Sequence, residues 1–230
     1  MKKITFITDT HTKHKQLSGF LPGGDMLICA GDITSVGSLV EIENFCTWFD
    51  GINNYDHKIF IAGNHDWEFQ DNPKNVLTIL KDYKTIDYLQ DELLLVGNDN
   101  YQEMIKVYGA PWTPEFFSWA FNLKRGNELK EKWGLIPIDT DILITHGPPH
   151  GKLDYTKYEN KNVGCEELLK RVQEIKPKIH VFGHVHESYG YVFDGNTHYI
   201  NAAVLNGRYI FQNKPLIVEW DEKTNELEFK

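Results

Sequence analysis

Lys58-Ile59-Phe60-Ile61-Ala62-Gly63-Asn64-His65-Asp66 is the stretch on which the fold turns. Its first half, rich in β-branched and aromatic residues, reads as a short buried strand stopped by Gly63. An amide, an imidazole and a carboxylate follow at once, each able to hold a metal or handle a proton. The same arrangement recurs along the chain. Ile4-Thr5-Phe6-Ile7-Thr8 leads into Asp9-Thr10-His11, and Met26-Leu27-Ile28-Cys29-Ala30 leads into Gly31-Asp32. Asp141-Ile142-Leu143-Ile144-Thr145 leads into His146-Gly147, and Ile179-His180-Val181-Phe182 into Gly183-His184-Val185-His186. Sites in open α/β sheets are assembled at the carboxyl ends of strands, from residues distant in sequence. The donors are carboxylate, amide and imidazole with no thiolate. That set suits a pair of divalent ions such as manganese, iron or zinc, and excludes an iron–sulfur cluster.

Each motif alone is ordinary. Asp9-Thr10-His11 could cap a helix, and Gly31-Asp32 could be a simple turn. Five strand-end loops in one chain, four of them carrying glycine, are hard to explain by capping. Gly31, Gly63, Gly147 and Gly183 allow a sharp turn and a close approach of backbone to a crowded site. A carboxylate bridging two cations must sit centrally, and Asp32 is the natural choice.

Between these loops, residues 38–50 place Leu39, Ile42, Phe45, Cys46 and Phe49 at helical spacing, and a second helix is expected from Pro73. Residues 93–96 and 104–108 read as a hairpin with a long turn over 97–100. Residues 111–121 form an aromatic loop, residues 164–175 a helix, and the tail alternates as strands over 189–193, 197–204, 208–211 and 215–220. Strands alternating with helices, then a run of strands, suggest two sheets with helices outside. At 230 residues, with 41% hydrophobic and 25% charged side chains, one domain spanning 1–230 is expected.

A formal net charge of −9 argues against a broad footprint for duplex nucleic acid or an anionic membrane. It leaves an anionic substrate open, because two divalent cations dominate the field in their own site. Cys29, Cys46 and Cys165 form no zinc or redox spacing, and their sparseness suits a reducing compartment. No apolar stretch reads as a leader or a membrane span. The expectation is a cytoplasmic protein.

The series D-x-H, G-D, G-N-H-D, H-G and G-H-x-H resembles the calcineurin-like metallophosphoesterase superfamily. A narrower resemblance runs through Tyr108-Gly109-Ala110-Pro111-Trp112-Thr113-Pro114, Trp119-Ala120-Phe121-Asn122-Leu123, Leu135-Ile136-Pro137, Thr145-His146-Gly147-Pro148-Pro149 and His180-Val181-Phe182-Gly183-His184. These stretches resemble the metallophosphoesterase-domain-containing (UPF0046) subfamily, whose relatives include class III cyclic-nucleotide phosphodiesterases. The resemblance implies an α/β fold, a four-layer α/β/β/α sandwich with two mixed sheets. It implies two divalent metal ions (Mn2+, Fe2+/Fe3+ or Zn2+), one held by Asp9, His11 and His186 and the other by Asn64, His146 and His184, with Asp32 bridging. His65 would act on the phosphoryl group without ligating, its imidazole oriented by Asp66. The implied reaction is hydrolysis of a small phosphodiester, with cyclic nucleotides among the candidates, by in-line attack of a hydroxide bridging the two metals. Two departures, Ile200-Asn201-Ala202-Ala203 in place of N-P-G-S and His150 after Pro149, touch no expected ligand.

A phosphomonoesterase shares the whole site, and a catalytically silent metal-binding scaffold is the rival from another class. The expected partner is a small phosphoester or nucleotide; oligomeric state is open. Trp112, Phe116, Phe117 and Trp119 could stack a base, although burial beside the hairpin is the simpler reading for most of them. Trp112, flanked by prolines, is the least core-like. His14 reads most simply as exposed and His180 as a core histidine. Arg125 and Arg208 could clamp a phosphate, a solvated role being an equal alternative.

Overall fold

The computed structural model describes residues 1–97 and 104–230. One sheet contains β1 (Lys2–Ile7), β2 (Gly24–Cys29), β3 (Tyr55–Phe60) and β4 (Ile86–Tyr88). The second contains β5 (Glu92–Val96) and β6 (Ile105–Ala110) as an antiparallel pair. Short strands β7 (Thr113–Pro114) and β8 (Asn122–Leu123) pair across the aromatic loop. After them come β9 (Ile142–Thr145), the β10 (Tyr155–Thr156) and β11 (Lys161–Asn162) hairpin, β12 (Ile179–Phe182), β13 (Gly190–Phe193) and β14 (His198–Asn201). The chain then returns to the first sheet as β15 (Leu216–Asp221) and β16 (Glu226–Phe229). The sheet orders are β16-β15-β1-β2-β3-β4 and β13-β14-β12-β9-β6-β5, and both mix parallel and antiparallel pairs.

Strict alternation along buried strands explains the stacking of layers. Ile4, Phe6, Met26 and Ile28 face inward and meet Ile142, Ile144, Val181 and Ile200 of the other sheet. Ile7, Leu27, Cys29 and Phe60 face outward, where α1 (Leu39–Asp50) covers them with Ile42, Phe45 and Phe49. Two short helices, α2 (Trp67–Asp71) and α3 (Pro73–Leu80), extend this layer. Tyr108, Leu143 and Phe182 face outward on the second sheet, under α4 (Asn127–Gly134) and α5 (Glu166–Ile175). The result is the expected α/β/β/α sandwich. A box at Ser38 starts α1, the serine accepting from Glu41 N–H while Glu41 returns to the Ser38 N–H. None of the described helices is long and apolar enough to cross a membrane.

Several local expectations change. The short α4 shows only Leu129 and Trp133 to the core, one turn apart on an otherwise charged segment, too little periodicity to stand out. Residues 208–211 form a tight loop rather than a strand, closed by a Leu205–Phe211 bridge. The edge strands β4 and β16 are short and half-polar. The expected turn over 98–100 lies outside the described residues.

Candidate metal centre

Parallel pairing sets Ile7 beside Cys29 and Cys29 beside Phe60, so the loops after β1, β2 and β3 leave one edge of the first sheet together. In the second sheet Ile144 lies beside Val181, and the loops after β9 and β12 leave the same end. The two sets interlock. His146 Nδ1 reaches the Ala30 carbonyl at 3.0 Å, and the His184 N–H meets both oxygens of Asp9 at 3.1 Å.

The turns are strained. Asp9 (φ 54°), His11 (38°), Asp32 (50°) and His184 (67°) all lie in the left-handed region. Non-glycine residues there cost on the order of 1–3 kcal/mol each, and such strain clusters at functional sites. Two glycines serve close approach instead. A Cβ on Gly183 would lie 2.0 Å from Asp9 Oδ2, and one on Gly63 would lie 2.3 Å from Asp32 Oδ1. Gly147 is less constrained, meeting only Thr113, with Cγ2 nearest at 3.0 Å.

Backbone carbonyls fix which nitrogen each imidazole presents. His11 Nδ1 faces the Thr34 carbonyl at 3.1 Å, His146 Nδ1 that of Ala30, and His186 Nδ1 that of Asn206 at 3.0 Å. A carbonyl only accepts, so each Nδ1 carries hydrogen, and a neutral ring presents its Nε2 lone pair. Those lone pairs point at oxygen. His186 Nε2 lies 3.2 Å from Asp9 Oδ1, and Asp32 Oδ2 lies 3.3 Å from His146 Nε2 and 3.6 Å from His11 Nε2. His146 Nε2 and His184 Nδ1 converge on Asn64 Oδ1 at 2.9 and 2.7 Å. Among the described residues, buried His11 Nε2 has no hydrogen-bond partner. An imidazole nitrogen aimed at a carboxylate in a buried cluster requires positive charge between the two, a proton or a bound cation. The donor set, its orientation and the orphaned His11 nitrogen all fit divalent cations. Asp9, His11 and His186 present donor atoms within 4.8 Å of one another, as do Asp9, Asp32 and His146, and also His11, Asp32 and His65.

The same charges shift the titrations. Burial opposes charge on His146 and His186, but Asp32 and Asp9 respectively outweigh it and push each up to about 9. Against burial, His146 holds Asp32 well below the usual carboxylate range. Burial takes His11 and His184 down to about 4.

His65 and Asp66 differ from expectation in one respect. Asp66 does not orient the His65 ring. Its carboxylate accepts from Gly63 N–H (2.7 Å), Ile33 N–H (3.2 Å), Thr34 N–H (2.9 Å) and Thr34 Oγ1 (2.6 Å), tying the β2 and β3 loops together. Four short-range donors saturate it, so none of its lone pairs is left for the imidazole. His65 Nδ1 instead faces the Ser35 carbonyl at 2.8 Å, and its backbone N–H donates to Asp32 Oδ1 at 2.8 Å. Trp119 stacks on the His65 ring at 4.1 Å and 28°.

Other assignments are corrected. Trp112 packs against both helix-covered cores, and its indole donates to Asp91 at 2.7 Å, so Trp119 is the tryptophan beside the site. His14 is buried against Phe45 and Trp48. The Arg125 guanidinium is taken up by the Val163 and Gly164 carbonyls and Glu166, a structural pin rather than a phosphate clamp. His180 is a core residue, as expected. Three supporting residues carry no motif in the sequence. Asn201 holds the turn between His184 and His186 by donating to the Val185 carbonyl at 2.9 Å. Asn206 fixes His186 through its carbonyl, and Tyr209 sets its ring edge-on to His11 at 4.7 Å and His186 at 5.5 Å. The Asn206-Gly207 pair favours a turn, but nothing in the letters tells what that turn touches.

The calcineurin-like phosphoesterase profile matches residues 2–188. Human metallophosphoesterase domain-containing protein 1 is 39% identical over 238 residues, covering 94% of this chain and 70% of the human protein. A UPF0046 protein of Caenorhabditis elegans is 39% identical over 233 residues, covering 91% of this chain and 58% of its own length. TT1561 of Thermus thermophilus superposes with a TM-score of 0.65 at 12% identity, covering 100% of this chain and 98% of the other. Phosphopantetheinyl hydrolase of Mycobacterium tuberculosis gives 0.60 at 12% identity, covering 90% of each. These last two likenesses speak to the fold, while the profile match and the two 39% identities speak to descent: the chain belongs to the calcineurin-like phosphoesterase family.

Proposed function

We propose that this chain is a phosphodiesterase for a small ester, cyclic nucleotides among the candidates, working at the cluster between the two sheets. The observation that carries the reading is the three imidazoles locked by backbone carbonyls so that Nε2 faces carboxylate or amide oxygen. Asp9, His11 and His186 would hold one divalent ion, Asn64, His146 and His184 the other, with Asp32 between them. Bound there, such ions would supply Lewis acidity and lower the pKa of water toward neutrality.

The chain's own groups do the rest. His65 keeps its Nδ1 hydrogen on the Ser35 carbonyl, which leaves Nε2 as the nitrogen available to a phosphoryl or leaving oxygen. Trp119 and the Asp32 contact limit how far that residue can move. Burial of Asp9, Asp32 and His146 lowers the local dielectric around the centre and strengthens its electrostatics. A cleft of about 470 Å³ opens from His184 and His186, with room for an organic substituent of a phosphoester.

The test compares bis-p-nitrophenyl phosphate with p-nitrophenyl phosphate, using chelated and manganese-reloaded protein. Diester turnover restored by manganese supports the reading. A preference for the monoester would turn it to a phosphomonoesterase, and silence on both with metal bound would turn it to a scaffold.

A further inference from the structure

Two buried polar side chains stand behind the metal cluster, on the far side of the second sheet. Ile144 and Val181 pack into the core between the sheets, so alternation turns Thr145 and His180 to the opposite face. There His180 lies against Phe182 and Tyr199, in the core covered by α4 and α5. Neither Thr145 nor His180 has any exposed surface.

Their hydrogen bonds run toward the site. The Thr145 hydroxyl donates to the Gly147 carbonyl at 2.8 Å, bridging over His146, and lies 2.8 Å from His180 Nε2. A carbonyl only accepts, so the hydroxyl hydrogen is committed to Gly147 and His180 must donate from Nε2. Its Nδ1 then keeps a bare lone pair, and among the described residues that buried atom has no partner. An apolar side chain in the same place would bury no lone pair. The ring therefore weakens the core unless its one hydrogen bond does something that packing cannot.

That bond closes a clamp. In the plane of the sheet, the Gly183 N–H at the end of β12 donates to the His146 carbonyl at 2.9 Å. From the outer face, His180 of the same strand holds Thr145, and Thr145 holds the next carbonyl, that of Gly147. With both carbonyls fixed, the His146 ring is directed inward, Nδ1 to the Ala30 carbonyl and Nε2 to Asn64 Oδ1 at 2.9 Å. A metal ligand must be held to within about 0.5 Å of its working position.

We propose that Thr145 and His180 are positioning residues, which fix the turn that presents His146 to the ion shared with Asn64 and His184. The proposal rests on the metal-centre reading above and deepens it by naming what sets one ligand in place.

The test is calorimetric titration of metal-free protein with manganese, comparing wild type with Thr145→Val, Thr145→Ser, His180→Phe and Leu143→Ala. Thr145→Val and His180→Phe should each weaken one of the two binding steps roughly 10–100-fold and leave the other unchanged, the scale for partners that orient a metal ligand. Thr145→Ser, which keeps the hydroxyl, should restore that step. Leu143→Ala opens a cavity on the same face of the same strand, so it tests plain destabilisation; both of its steps should stay near wild type. Wild-type binding in both Thr145→Val and His180→Phe, or an equal loss in Leu143→Ala, would overturn the proposal. Should wild type itself bind no manganese, the metal-centre reading fails, and NMR of the metal-free protein decides the clamp separately. The Nδ1 proton that His146 donates to Ala30 should exchange with water faster in Thr145→Val and His180→Phe than in wild type and Thr145→Ser; equal exchange in all four would sink the clamp.

Discussion

Replacing Gly183 by alanine places one methyl group where the two sheets interlock. The new Cβ would lie 2.0 Å from Asp9 Oδ2, 2.4 Å from Thr8 Cγ2 and 2.6 Å from Thr8 Oγ1, where ordinary contact begins near 3.4 Å. Neither neighbour can step aside cheaply. Thr8 is bridged to Ala203 and its hydroxyl donates to the Gly31 carbonyl, while Asp9 is fully buried at a strained φ. The carboxylate must therefore leave its place, losing the His184 N–H and its 3.2 Å approach to His186. Overpacking costs about 1–3 kcal/mol, and a lost charge-assisted hydrogen bond about 1.5–3 kcal/mol more. Together these amount to roughly 4 kcal/mol, a large share of ordinary domain stability, and imply a fall in melting temperature of about 10 °C. The assay is thermal unfolding with manganese and with EDTA, alongside metal content after dialysis. Gly134→Ala is the control, because nothing lies within 4 Å of its Cβ. The Gly183→Ala protein should lose the stabilisation that manganese gives the wild type, as expected when a ligand no longer binds the folded state. Wild-type metal content and melting temperature in that variant would refute the geometry.

Asp66→Asn leaves the ring of His65 alone and cuts into the β2–β3 loop tie, so it should cost about 3 kcal/mol in urea unfolding. A change below about 1 kcal/mol would mean that the four donors are not what holds those loops. Trp119→Ala should retain bound manganese but lower diester turnover roughly 10–100-fold, through misplacement of His65; unchanged turnover would remove Trp119 from the site. His180 is held down to about 3 by burial, below the ordinary histidine value. Its unfolded form takes up a proton as pH falls below about 6.5 while the folded form does not, so stability is full above that pH and declines toward about 3. His180→Gln, which can still donate to Thr145, should flatten the pH dependence of stability between about pH 7 and about pH 5 by up to about 1.4 kcal/mol per pH unit; an unchanged slope would show that His180 titrates normally.

Much of the architecture was legible because buried parallel strands announce themselves. Met26-Leu27-Ile28-Cys29 alternates between two apolar environments, and runs of that kind have few readings other than strand. The ligand loops were legible because glycine, carboxylate and imidazole after a strand is an uncommon combination, repeated here. The helix over Asn127–Gly134 was not, since two buried residues on a charged segment give a weak period. The burial of His14 was hidden as well, because its aromatic neighbours Phe45 and Trp48 arrive from a separate helix.

What the chain's letters determined by themselves was the inventory: two layers of buried strand, the donors at their ends, and the chemistry those donors can perform. These are local properties, set by side-chain alternation and by which atoms can bind a cation. Tertiary structure alone decided how the inventory is used. It committed the His11, His146 and His186 Nδ1 hydrogens to the carbonyls of Thr34, Ala30 and Asn206, turned Asp66 away from His65, and gave that ring to Ser35 and Trp119. A backbone carbonyl has no letter of its own in a sequence, so the contacts that orient an imidazole become visible only when distant strands are brought side by side.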